Sequence, residues 1–154
     1  MKAIDVSLKS DAVYSNKTLN LKIAKMPQVK VYGLQKNIAA RRSALSNAIH
    51  AALMKGIGTP EAKRFQRFIV LDTANFIFPN DRSNNYTIIE ISMFEGRSVA
   101  AKKNLIRLLY EKIASATDIT PQDLEITIFE TPQCNWGIRG IPGDELKLGY
   151  QVDV

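Results

Sequence analysis

The sequence predicts an α/β fold in which one β-α-β unit is used twice, giving a four-stranded sheet with two helices on one face. Three observations predict it. Two stretches of apolar residues with strand patterning are each followed by a long amphipathic helix and a second apolar strand. Each long helix is followed by a Thr-Pro pair, Thr59-Pro60 and Thr120-Pro121. The two halves also keep register, since Leu34 and Phe94 stand 60 residues apart and the Thr-Pro pairs 61. A repeat of this length reads as duplication of one supersecondary unit.

The first unit opens with the alternating stretch Gln28-Val29-Lys30-Val31-Tyr32. A turn region is expected next, then a helix over residues 38–58. In it Leu45, Ile49, Ala52, Leu53 and Gly56 recur at helical spacing and mark the buried face. Gly56 and Gly58 are expected to end that helix. Thr59-Pro60 should start a short helical turn, with Thr as cap and Pro at the first position. Residues 67–72, RFIVLD, close the unit as a strand.

The second unit repeats this order. TIIEISMF (87–94) reads as a strand, and Ser98 is placed to cap the helix that follows. Leu105, Leu109 and Ile113 form its apolar stripe, with Ile106 and Tyr110 beside it. Thr120-Pro121 repeats the capped turn, and EITIFE (125–130) the closing strand.

A strand, a long helix and a returning strand imply a parallel pair joined by a right-handed crossover. Two such units leave one sheet face without helices. The stretch Thr87-Ile88-Ile89-Glu90-Ile91 looks too apolar to stay in water, and no segment remains to cover it, so association with further copies is expected. The tail from Tyr150 to Val154 alternates like an edge strand able to reach a neighbouring subunit.

Composition narrows the function classes. The single cysteine, Cys134, excludes an internal disulfide and fits a reducing cytoplasm. No apolar run approaches the ~20 residues of a membrane span. The net charge of +6 is spread along the chain with no nucleic-acid motif beside it, which argues against nucleic acid as partner and for attraction of small carboxylates. His50 has no second ligand at metal spacing and reads as structural, as does the thiol of Cys134. Arg82 and Arg139 are further conceivable carboxylate contacts.

Four segments then carry a family resemblance: Met26-Pro27 ahead of the first strand, PNDRSNNYTIIEI (79–91), FEGRSVAAKKNLI (94–106) and ITIFETPQCNWGIRG (126–140). In this order, within a duplicated chain, residues 27–154 resemble the tautomerase superfamily. The likeness is to 4-oxalocrotonate tautomerase and to the fused branch that includes malonate semialdehyde decarboxylase. It implies repeat units 27–85 and 86–154, a tautomerase/MIF-like homotrimer with pockets near subunit boundaries, a small carboxylate substrate, and no metal or organic cofactor. It also implies an amino-terminal proline that moves protons, placed on Pro27, and a carboxylate-binding arginine, placed on Arg97. Arg67 takes the position of a second such arginine and Trp136 that of the aromatic wall. Lys63 stands where the decarboxylase has an aspartate, and Glu95 where it has an arginine, so simple keto–enol tautomerisation fits better than decarboxylation.

The chemistry is specific about the proline. A free prolyl nitrogen is a secondary amine, and an apolar pocket with nearby cations lowers its pKa toward that of a useful base. Behind Met26 the same nitrogen is an amide and has no basic lone pair. Residues 1–26 therefore read as a leader or an over-long start, and the functional chain is expected to begin at Pro27. Bland roles stay open at this point. Pro27 can simply precede an edge strand, Arg97 sit in solvent, Arg67 line an interface and Trp136 pack in the core, in a silent trimer that binds a small anion or a protein.

Overall fold

The computed structural model of the protein describes residues 27–146. The expected leader and the alternating tail from Tyr150 to Val154 lie outside the described residues. Strand β1 (Gln28–Leu34), helix α1 (Gln35–Ile57) and strand β2 (Gln66–Leu71) form the first unit. Strand β3 (Thr87–Phe94), helix α2 (Val99–Ala116) and strand β4 (Leu124–Thr131) form the second, followed by a small hairpin of β5 (Gly137–Ile138) and β6 (Ile141–Pro142). The sheet order is β2-β1-β3-β4, with parallel pairs inside each unit and an antiparallel β1/β3 junction between them.

That junction shows the duplication in space. Gln28 pairs with Ser92, and Tyr32 with Ile88. Moving each member of the first pair to its counterpart 60 positions away gives the second pair. The units are thus related by a two-fold at the middle of the sheet, and counterparts lie at opposite ends of it.

Alternation decides the faces. Val29, Val31, Ile89, Ile91 and Met93 point to the helices and are fully buried. They pack against Leu45, Ile49, Leu105, Leu109 and Ile113 of the two helical stripes, with Phe68, Ile126 and Ile128 from the edge strands. Gly56 lies inside α1, not at its end. A Cβ there would meet Leu105 Cδ1 and Leu108 Cδ1 at 3.2 Å, so glycine allows the helices their close approach. Gly58 is the left-handed cap, with φ 65° and its N–H donated to the Leu53 and Met54 carbonyls. Ser98 caps α2 as expected, accepting from the Ala101 N–H.

Besides Gly56, the structure departs from the sequence reading in three places. Helix α1 starts at Gln35 straight from β1, with no turn region. The buried Asn37 side chain anchors that start by donating to Asn85 O and Thr87 Oγ1, both at 3.0 Å. Thr59-Pro60 opens a hydrogen-bonded turn closed by Lys63 N to Pro60 O, not a helix, whereas Pro121–Asp123 is a single 3-10 turn. Neither threonine caps through its hydroxyl. The counterpart of Lys63 is Asp123, whose carboxylate accepts from Ser83 N at 2.7 Å and Ser83 Oγ at 2.5 Å and so fixes the second turn. Lastly, the uncovered sheet face is mixed. Ile89 and Ile91 face the helices, while Ile88, Ile69 and the exposed Phe129 share the open face with a polar set. There Glu90 accepts from Tyr32 OH at 3.0 Å and pairs with Lys30.

The Asp123–Ser83 contact also ties the β2–β3 connection to the second unit, beside a cluster of Phe76, Phe78 and Tyr86. Asp123→Ala is expected to cost roughly 1.5–3 kcal/mol, as for hydrogen bonds to a charged group. A thermal melt should show Tm lower by on the order of 5 °C; an unchanged Tm would mean that the contact contributes nothing. No helix among the described residues is long and apolar enough to cross a membrane.

Candidate active site

One end of the sheet gathers the start of β1, the ends of β3 and β4, and the approach to β2. Gln28 pairs with Ser92, Met93 with Glu130 and Phe94 with Thr131, and Val29 N donates to Phe65 O at 2.9 Å. Pro27 immediately precedes this register and is buried. Two more segments return here. The chain leaves β3 through Glu95, whose N–H bonds Thr131 O at 3.0 Å, and Gly96, at φ 118°. That turn delivers Arg97 just before the Ser98 cap. After β4, the 3-10 turn Gln133–Asn135 brings back Trp136.

Both side chains are held at this end. The Arg97 guanidinium is half-buried and donates Nη1 to Phe94 O at 2.8 Å. Burial pushes its pKa down, and the Glu130 carboxylate offsets part of that. Trp136 donates Nε1 to Thr131 Oγ1 at 2.7 Å and meets Phe94 edge-on, with centroids 5.0 Å apart. A cleft of about 250 Å³ opens beside it, lined by Gln28, Phe65, Trp136, Gly137, Ile138 and Arg139. Arg67 stands on the open sheet face in register with Lys30 and donates Nη1 to Gln28 Oε1 at 3.2 Å. The fold therefore brings Pro27, Arg97 and Trp136 to one end and reaches Arg67 through Gln28.

Two residues there escaped the sequence reading. Lys102, on α2, donates to Glu130 Oε2 at 2.6 Å, and Glu130 Oε1 is buried without a hydrogen-bond partner. The signal was parity, because Glu130 follows Ile126 and Ile128 on the inward row of β4. The separation of 28 positions from Lys102 leaves no local pattern.

The opposite end is an internal control. The counterparts of Pro27 and Arg97 are Thr87 and Asn37, which are buried and bonded to each other at 3.0 Å. Arg41 Nη1 donates to Asn37 Oδ1 at 3.1 Å. A larger cleft of about 620 Å³ lies here, lined by residues that include Lys36, Asn37, Arg41 and Asn85. No amine or guanidinium occupies the two counterpart positions, which are neutral and hydrogen-bonded.

The remaining candidates lie elsewhere or take other roles. His50 is buried, with Nε2 2.9 Å from Glu61 O. Arg82 pairs with Asp81 and Glu125, beside Tyr86, whose phenol burial pushes up to about 12 with help from Glu125. Cys134 is exposed. Arg139 lines the cleft at φ 53°. Among the described residues no group of three His, Cys, Asp or Glu could hold a metal.

A four-stranded mixed sheet under two helices, built from two β-α-β units, defines a duplicated β-α-β protein of the tautomerase fold. The sequence profile of the tautomerase enzyme family matches residues 63–139, half of the chain, and the chain belongs to that family. It is 37% identical over 57 residues to the 2-hydroxymuconate tautomerase of Pseudomonas putida, a match covering 37% of this chain and 90% of that one. Among solved structures, an FG41 malonate semialdehyde decarboxylase superposes with TM-score 0.64 at 23% identity, covering 71% of this chain and 87% of that one. The wild-type F6 fused 4-OT asymmetric trimer gives TM-score 0.66 at 25% identity, covering 76% of this chain and 96% of that one. The family and its named relatives carry tautomerase-type, isomerase chemistry.

Proposed function

We propose that this chain is a cofactor-free keto–enol tautomerase for a small 2-oxo or enol carboxylic acid, with Pro27 as the base once it is the amino-terminal residue. The observation that carries the reading is the asymmetry of the duplicated ends. Only one pairs a buried proline with a half-buried arginine and an aromatic wall. In the reaction, the prolyl nitrogen takes the enol hydroxyl proton as the C=O forms, and returns it to the carbon that receives the electron pair. Proton count and oxidation state are unchanged. Arg97 holds the substrate carboxylate, and Arg67 adds charge at the rim. Trp136, Phe94 and Phe65 exclude water, which strengthens those charge contacts and disfavours the ammonium form of the amine.

Phenylpyruvate and 2-hydroxymuconate ketonisation by the chain beginning at Pro27 tests this. Measurable turnover, abolished by blocking the amine, is the expected result; no turnover of either acid favours the second reading. That reading, a silent trimer binding a small anion, draws on the sequence as it stands, in which the Pro27 nitrogen is acylated by Met26.

The assembly proposed is a homotrimer in the cytoplasm. The open face carries Ile69, Ile88 and the exposed Phe129, apolar side chains that contact between copies would take out of water. Light scattering of the full chain should give about three times 17.2 kDa. A monomer at micromolar concentration would contradict this assembly.

A further inference from the structure

Glu130 is an unusual residue for its place. It follows Ile126 and Ile128 on the helix-facing row of β4, and its side chain is only 17% exposed. A carboxylate in such a position costs desolvation unless it is compensated. Compensation is partial, with Lys102 on Oε2 at 2.6 Å and no hydrogen-bond partner on the buried Oε1. The duplicated unit shows that the fold does not require the pair. There the counterpart of Glu130 is Val70 and that of Lys102 is Arg42, and the same strand and helix form. The charge pair occurs only at the end that holds Arg97, whose guanidinium donates to the carbonyl of Phe94, one position along β3 from Met93, the register partner of Glu130.

We propose that Glu130 and Lys102 are a pair that sets the charge around Arg97. Glu130 subtracts from the positive charge that a bound carboxylate meets, while Lys102, bonded to Glu130, restores it. The pair sets how tightly this end of the sheet binds a small organic anion. The inference rests on Arg97 being the carboxylate site proposed above, and it predicts opposite effects from two halves of one ion pair. A salt bridge that merely supported the fold would weaken binding whichever half was removed.

The experiment uses the full chain and phenylacetate, a carboxylate that cannot enolise in the manner of a 2-oxo acid. Binding is read from the fluorescence of Trp136, the single tryptophan. Glu130→Gln should bind phenylacetate more tightly, and Lys102→Met more weakly, each on the order of fivefold for one charge at this range in a partly screened site. Lys102→Arg should restore wild-type affinity. Shifts in the same direction, no shift in either variant, or no phenylacetate binding to any form would overturn the proposal. Should Glu130→Gln not fold, Glu130→Val, which places there the residue that the counterpart position 70 holds, takes its place with the same expected tightening. Arg97→Ala separates the two claims. Unchanged binding in that variant overturns the assignment of Arg97 itself, whereas lost binding alongside same-direction shifts overturns the pair alone.

Discussion

Arg97→Ala is expected to lower kcat/KM for an acidic substrate by about tenfold or more while leaving the assembly intact. A hydrogen bond between a guanidinium and a carboxylate contributes roughly 1.5–3 kcal/mol, which converts to that loss. The structure explains why the effect should be confined to turnover. Arg97 sits in the turn between β3 and the Ser98 cap, and its Nη1 contact is to the carbonyl of Phe94, three residues back. Removing the side chain leaves β3, the Ala101-to-Ser98 cap bond and the Trp136-to-Thr131 bond in place. Arg97→Lys is the informative companion. It keeps the charge but loses the planar fork that grips both carboxylate oxygens, so activity should fall between wild type and Arg97→Ala. Steady-state kinetics with phenylpyruvate, alongside light scattering, checks both variants. An unchanged rate in Arg97→Ala would return Arg97 to the role of a surface residue.

Much of this fold was legible because it is written twice. The strand over 87–94 and the cap at Ser98 follow from alternation and from capping chemistry, both local signals. The helical stripe of Leu105, Leu109 and Ile113 follows from its spacing, and all three are fully buried. What was not legible depends on partners distant in sequence. The early start of α1 comes from Asn37 reaching 48 and 50 residues ahead to Asn85 and Thr87. The contrast between the two Thr-Pro turns comes from Asp123 engaging Ser83, 40 residues away, where the first unit has Lys63. The composition of the open face is not legible from an apolar run such as Ile88-Ile89, because successive strand residues point to opposite faces. In the candidate site, Arg97 and Trp136 came from motif resemblance. Glu130 and Lys102 come together only through the packing of α2 over β4. The neutral Thr87–Asn37 pair has meaning only once the two-fold relation of the units is seen in space.

Pro27 carries the central claim. It is buried at the head of β1, at the same sheet end as Arg97 and Trp136. In the chain as it stands its nitrogen is an amide, which accepts no proton at physiological pH. Beginning the chain at Pro27 turns that atom into a secondary amine, in surroundings where burial disfavours protonation. The most direct measurement is kcat/KM from pH 6 to 9 for two preparations, one starting at Met1 and one at Pro27. The Pro27 form should be active, with efficiency rising through an apparent pKa below the roughly 7.7–8.0 of an ordinary α-amino group, and the Met1 form should be nearly inactive. Equal activity in the two forms would contradict a proline base, and inactivity in both would leave a silent anion-binding trimer as the better account.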